Sequence, residues 1–274
     1  MVRKFAFRVL CFPGLCVGLM GLVSAQAERP RENITIVESI ETAIFDSTEN
    51  SPSKTGEPKA LSFAMIDGNG PDWVSLGKDD FVRANCNEDT WVWDGSTVHC
   101  TGKPVGVLRS AKKYKNIEFV GLWRHLSVGG NSGFFLWTPE EVLIDLPPNR
   151  LPGAGIKIQV LDHGYTQQYE KSSGKKATWF STNGDIFPVG KSKLKPFPPL
   201  SLDGSRSFPK SNHSLASPAW NHYYVRAING EVRLWVNGHE VSGGSDATPA
   251  EGFLCLESEG APVEFKDIKI RVLP

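Results

Sequence analysis

Neither sign of charge predominates in this chain. Lys plus Arg number 30 and Asp plus Glu number 30, a formal net charge of zero. The sequence thus lacks the basic stripe by which proteins track phosphate backbones or anionic membrane surfaces, and nucleic acid is not an expected partner. Cysteine is sparse, five in 274 residues, with no zinc-ligand spacing. No segment shows sustained helical periodicity, which argues against a helical bundle or a doubly wound α/β domain. Beyond residue 23 no apolar run is long enough to cross a bilayer as a helix.

The single long apolar run lies at the N-terminus. Arg3, Lys4 and Arg8 precede the apolar stretch 9–23, and Ala25-Gln26-Ala27 is a small-x-small cleavage site. Residues 1–27 therefore read as a signal peptide with Glu28 as the mature start, and the product is expected to be periplasmic or extracellular with no retained membrane anchor. Residues 28–60, with Glu49-Asn50-Ser51-Pro52-Ser53-Lys54, read as a variable spacer, and 61–274 as one domain. Export makes a Cys86–Cys100 disulfide an option, since the two flank an expected hairpin. Cys255 reads as a buried thiol.

What the chain has in quantity is short strands and turn residues, among them 27 glycines, together with eight tryptophans. Two strands flank Asp94-Gly95. Others are expected at 117–126, 132–137 and 156–161, with Gly129-Gly130-Asn131 as the turn between the first two. Asn229-Gly230 between the alternating runs 223–228 and 232–236 is the strongest hairpin signal, and Asn237-Gly238 repeats it. Strands at 252–256 and 263–272 close the chain. The fold class is all-β, a sandwich or jelly roll of two antiparallel sheets. The long segment 162–219 reads as excursions walling a site at the sandwich mouth.

Ordered blocks along 61–274 carry a family resemblance. They are Thr101-Gly102-Lys103-Pro104-Val105-Gly106-Val107-Leu108, Trp123-Arg124-His125 leading to Gly130-Asn131-Ser132-Gly133, Ile156 through His163, Asn183-Gly184-Asp185-Ile186-Phe187, Trp220-Asn221-His222-Tyr223, Val236-Asn237-Gly238, and Leu256-Glu257-Ser258-Glu259-Gly260 before Phe265-Lys266-Asp267-Ile268. Together they resemble the 3-keto-disaccharide hydrolase domain family. The resemblance implies a concanavalin-like jelly roll with a sugar-binding concave face, an oligosaccharide or glycoside substrate, and functional pairing with a sugar 3-oxidoreductase. It also implies a distinctive chemistry. A ketone at C3 acidifies the C2 proton, a base removes it, the C1 substituent leaves by elimination, and water adds back. In the family an acid usually stands where this chain has Lys157, and some members have one at Leu122.

Strand alternation sorts the candidate residues. Apolar Ile156, Ile158 and Val160 should face the core, which turns Lys157 and Gln159 toward the groove. Arg124 would clamp an enolate or hydroxyl oxygen, or pair with a carboxylate. Asp162 and His163, just past the strand end, read as base plus orienter, as a divalent-metal corner, or as an Asx turn. Lys157, Asp162, His163 and Arg124 are thus the catalytic candidates. Gln159, Asn131 and Asp185 are candidates for binding substrate, with Trp137 and Trp179 as stacking platforms. No Glu-x-Asp-x-x-Glu strand of an ordinary endoglucanase is present. A non-catalytic glycan-binding module of the same fold is the alternative reading.

Overall fold

Residues 63–274 are described by a computed structural model, so the expected signal peptide and spacer lie outside the described residues. Fifteen strands follow in order: β1 (Trp73–Ser75), β2 (Phe81–Arg83), β3 (Trp91–Asp94), β4 (Thr97–Cys100), β5 (Gly106–Tyr114), β6 (Ile117–His125), β7 (Asn131–Thr138), β8 (Ala154–Leu161), β9 (Ile186–Gly190), β10 (Lys193–Pro196), β11 (Asn221–Ile228), β12 (Glu231–Val236), β13 (His239–Thr248), β14 (Gly252–Ser258) and β15 (Val263–Val272). All pair antiparallel in two sheets. One runs β10-β13-β12-β11-β6-β15-β4-β3, with β1 also on β15, and the other runs β2-β5-β14-β7-β8-β9. This is the expected concanavalin-like jelly-roll sandwich.

Local chemistry explains the tight turns. Asn229 and Gly230 both take positive φ (51° and 78°), as do Asn237 and Gly238 (48° and 88°), so each pair closes a two-residue type I′ hairpin. The turn at Gly129-Gly130 does something else. It carries the chain from β6 in the larger sheet to β7 in the smaller one, so these strands are not hairpin partners.

The core lies between the sheets. Ile156, Ile158, Val160, Phe134, Leu136, Leu254 and Leu256 from the smaller sheet meet Phe119, Trp123, Tyr223, Val225, Leu234 and Phe265 from the larger. Each such side chain is worth about 2 kcal/mol of burial. A second cluster lies on the outer face of the smaller sheet. There Leu143, Leu146 and Leu151 of the β7–β8 connection cover Phe135, Phe253 and Cys255.

Segment 162–219 is more ordered than its composition implies. It contains β9, β10 and an α-helix, α1 (Tyr165–Ser173). None of the residues of α1 is buried, so no apolar periodicity announces it. Cys86, Cys100 and Cys255 are all free thiols. Cys100 Sγ accepts the Gly102 N–H (3.3 Å) rather than bridging to Cys86. Burial pushes the Cys255 thiol up to about 12, as fits an inert core residue.

Candidate functional site

On β8 the alternation holds. Lys157 and Gln159 turn away from the core to the outer face of the smaller sheet, yet are only 6% and 5% exposed. The Lys157 ammonium finds its partners in Glu257 of β14, two strands away and roughly 10 Å across the sheet, and in Glu259 just past that strand's end. Its Nζ lies 2.8 Å from the Glu257 carboxylate and 3.0 Å from Glu259 Oε2. Gly133 of the intervening β7 makes this reach feasible. A Cβ there would stand 2.9 Å from Lys157 Cε and 3.0 Å from Glu257 Oε2. The missing side chain is the lane in which the lysine stem lies.

The cluster holds two carboxyls and one ammonium with little water. Glu257 is fully buried, Lys157 nearly so, and Glu259 reaches the mouth with 29% of its side chain exposed. Burial drives the Glu257 carboxyl up. Lys157 opposes this and the Glu259 charge reinforces it, and the net result is about 8. Burial alone would lower Lys157, but the two carboxylates outweigh it and the net direction is up. The raised Glu257 carboxyl and the raised Lys157 ammonium titrate as a set rather than as single residues. Lys157 donates its hydrogen bond to Glu257 Oε1 and lies 2.8 Å from buried Oε2 as well. Tyr165, which opens α1, feels the charges of Glu259, Lys157 and Glu257. Burial, the largest influence, keeps its phenol neutral.

Beside this cluster, Gln159 donates through Nε2 to Asn131 Oδ1 (2.6 Å) and to the Ser132 carbonyl (3.0 Å). These two expected binding residues thus form one polar strip. Asp185 is buried next to it, and its carbonyl accepts the Gln159 N–H at 2.9 Å. Its carboxylate accepts the Ser181 N–H (2.9 Å) and hydroxyl and lies 3.7 Å from Arg206. Burial outweighs these partners and pushes the Asp185 carboxyl up to about 6. Arg206 is clamped between two rings, 3.6 Å from the Phe187 centroid and 4.7 Å from that of Trp179. Trp179 is further fixed by Phe180 (4.7 Å, edge-on) and by donating Nε1–H to the Tyr169 hydroxyl (3.2 Å). At 43% exposure it is a held indole open to solvent, the geometry a sugar ring stacks on.

Four expected residues are placed elsewhere. Arg124 belongs to the larger sheet and, opposite core Trp123, points outward on the far side of the sandwich from Lys157. It pairs with Glu264 at 2.6 Å and lies over Trp220. Trp137 is core, 1% exposed, with its Nε1–H donated to the Lys115 carbonyl at 2.8 Å. A positive φ of 52° at Trp137 breaks the alternation and rolls the indole inward. Asp162 accepts the N–H groups of Gly129, Gly164 and Ser217 at 2.7–2.9 Å. Burial raises its carboxyl, but these bonds outweigh that and the net direction is down, which suits a loop staple rather than a base. The neighbouring His163 Nε2 is bonded to Ser214 Oγ at 2.8 Å. Among the described residues no three His, Cys, Asp or Glu side chains converge as metal ligands, and the Asp162–His163 corner is not one.

From sequence Glu259 reads as a turn residue and Tyr165 only as one of the aromatics of segment 162–219, while Glu257 and Arg206 are not singled out. The two glutamates had a signal. They sit two apart in a run whose Leu254 and Leu256 face the core, so they share the opposite face.

Comparison with curated proteins returns no match. Among solved structures, a candidate glycosyl hydrolase from Parabacteroides distasonis, determined at 1.70 Å, superposes with a TM-score of 0.53 at 18% identity, covering 72% of this chain and 89% of that one. A second from the same organism, determined at 2.00 Å, gives 0.50 at 18% identity, with 73% and 99% covered. At this identity the likeness is one of fold. The family profile that matches is more specific and spans most of the chain. Over residues 64–271 the chain belongs to the family of 3-keto-alpha-glucoside-1,2-lyase-like domains.

Proposed function

We propose that this carbohydrate-active domain cleaves 3-keto-glycosides by elimination and hydration, with the Glu257–Glu259 carboxyl pair as its proton-handling group. The observation that carries this reading is the fully buried Glu257 carboxyl, raised by its burial and joined through one lysine to Glu259, a second carboxyl with 29% of its side chain exposed. General acid–base groups work best when their pKa lies near the working pH. Glu259 takes the C2 proton, and the C–H electron pair forms the enolate C2=C3–O⁻. The enolate then collapses to restore the ketone, breaking the C1–O bond and leaving a C1=C2 double bond. The departing oxygen takes a proton from the carboxyl pair. Water then adds, hydroxyl to C1 and proton to C2.

Lys157 stays protonated and positions both carboxyls, so it is not the base. Trp179 and the Gln159–Asn131 strip would hold the sugar. The substrate presupposes a sugar 3-oxidoreductase upstream, and the N-terminal signal pattern supports an exported, periplasmic or extracellular protein.

The test is to incubate the mature protein with a 3-keto-disaccharide and with its unoxidised parent, with and without a divalent metal. Released monosaccharide is the readout. Cleavage of the keto sugar alone is expected. If folded protein cleaves neither, the reading fails and the alternative, a non-catalytic glycan-binding module, takes its place. That alternative is favoured by the complete burial of Glu257.

A further inference from the structure

A second cleft opens on a different part of the molecule, between the free edges of the two sheets, where β2 ends one and β3 the other. It encloses ≈ 480 Å³. Its walls are Phe81, Trp91 and Trp93, which face inward, with Phe81 and Trp93 5.7 Å apart across the gap between the sheets. Trp93 is the half-buried member of the three. Its rim is Lys78, Asp79 and Arg83. The carboxyl cluster is on the outer face of β8, β7 and β14 and shares no residue with this cleft.

We infer that this edge cleft is a separate binding site for a neutral sugar unit of a glycan chain. Three properties of the cleft specify that occupant. Its volume lies within the range that holds small ligands. Its partly exposed ring, Trp93, backed by Phe81, offers an apolar face to a pyranose ring. Its rim mixes two cationic donors with a carboxylate acceptor, which suits hydroxyls that both donate and accept. An anionic sugar fits worse, because Asp79 lies on the rim and exposed Glu88, the ion-pair partner of Arg83 at 3.4 Å, lies beside it. The site would anchor a chain while the carboxyl cluster works on another part of it. It does not depend on Glu257 being catalytic.

The experiment is calorimetric titration of the full mature chain with cellotetraose, maltotetraose and tetragalacturonate. It is repeated on Trp93→Ala and on the double variant Asp79→Ala/Arg83→Ala. At least one neutral tetrasaccharide should bind saturably. Affinity should fall about tenfold or more in both variants, a tenfold loss being 1.4 kcal/mol. Because the rim residues are exposed, the double variant keeps its fold even if Trp93→Ala does not. Turnover of a 3-keto-disaccharide, measured in parallel, should be unchanged in the rim variant, so failure of the catalytic proposal is read separately. Absence of binding by either neutral tetrasaccharide, binding indifferent to the rim variant, or tighter binding of tetragalacturonate overturns the inference.

Discussion

Both sheets carry charged residues on their outer faces, but they handle them differently. On the larger sheet the cations are arginines laid over aromatic rings, Arg124 on Trp220, Arg226 on Trp235 and Arg271 on Trp73. Arg124 and Arg271 each meet an acid on a neighbouring strand, Glu264 and Glu118. These arginines keep about a third of the side chain or more in water. On the smaller sheet Lys157 also lies over a ring, Phe135 at 5.8 Å, but this one lysine serves two acids and is only 7% exposed. On the larger sheet these arginines stay partly in water, and Arg124 and Arg271 each have an acid beside them. On the smaller sheet two carboxyls share one buried cation, and unbalanced buried groups of that kind cluster at functional sites.

That contrast can be broken most sharply by neutralising the acids. Glu259→Gln and Glu257→Gln should each lower turnover of a 3-keto-disaccharide by about 10²–10⁴-fold, while Glu264→Gln on the other sheet leaves it unchanged. Steady-state kinetics on the three variants decides the matter, and equal losses would remove the distinction. Next in size is Lys157→Ala, which strands two carboxyls in a dry place and should cost about 3–5 kcal/mol in urea unfolding. Arg124→Ala removes a half-solvated pair and should cost about 1 kcal/mol or less. Gly133→Ala fills the lysine lane and should cost about 1–3 kcal/mol by overpacking, with the same unfolding curves as the check.

A further expectation concerns pH dependence. Glu257 and Asp185 both have carboxyls raised on folding, to about 8 and about 6. The folded state then binds more protons than the unfolded one, so stability falls as pH rises from the ordinary carboxylate range to about 8. Glu257→Gln should flatten the upper part of that fall, between about pH 6 and 8, in unfolding midpoints measured across the range. A slope unchanged by the substitution would place the proton elsewhere.

Much of the fold was legible because it is written locally. Asn229-Gly230 and Asn237-Gly238 demand positive φ, and Ile156, Ile158 and Val160 announce an inward face without reference to anything distant. The same alternation turns Lys157 and Gln159 away from the core. What failed was non-local. Arg124 and Lys157 lie on different sheets, and nothing near Gly129 signals that the chain changes sheets there. Trp137 joins the core beside Phe134 and Leu136, and its positive φ is where the strand's alternation breaks. Glu257 stands just past the expected strand 252–256. A charge just beyond an apolar run reads as solvent-facing unless its partner is known, and that partner lies 100 residues away.

Gly133 has a consequence for how such sequences vary. Because no side chain intervenes on β7, positions 157 and 257 act as a single electrostatic locus shared by two strands. By the family resemblance an acid at 157 would set a third carboxyl beside Glu257 and Glu259, whereas the Lys here supplies their countercharge. The glycine between the strands is the residue that lets position 157 reach them at all.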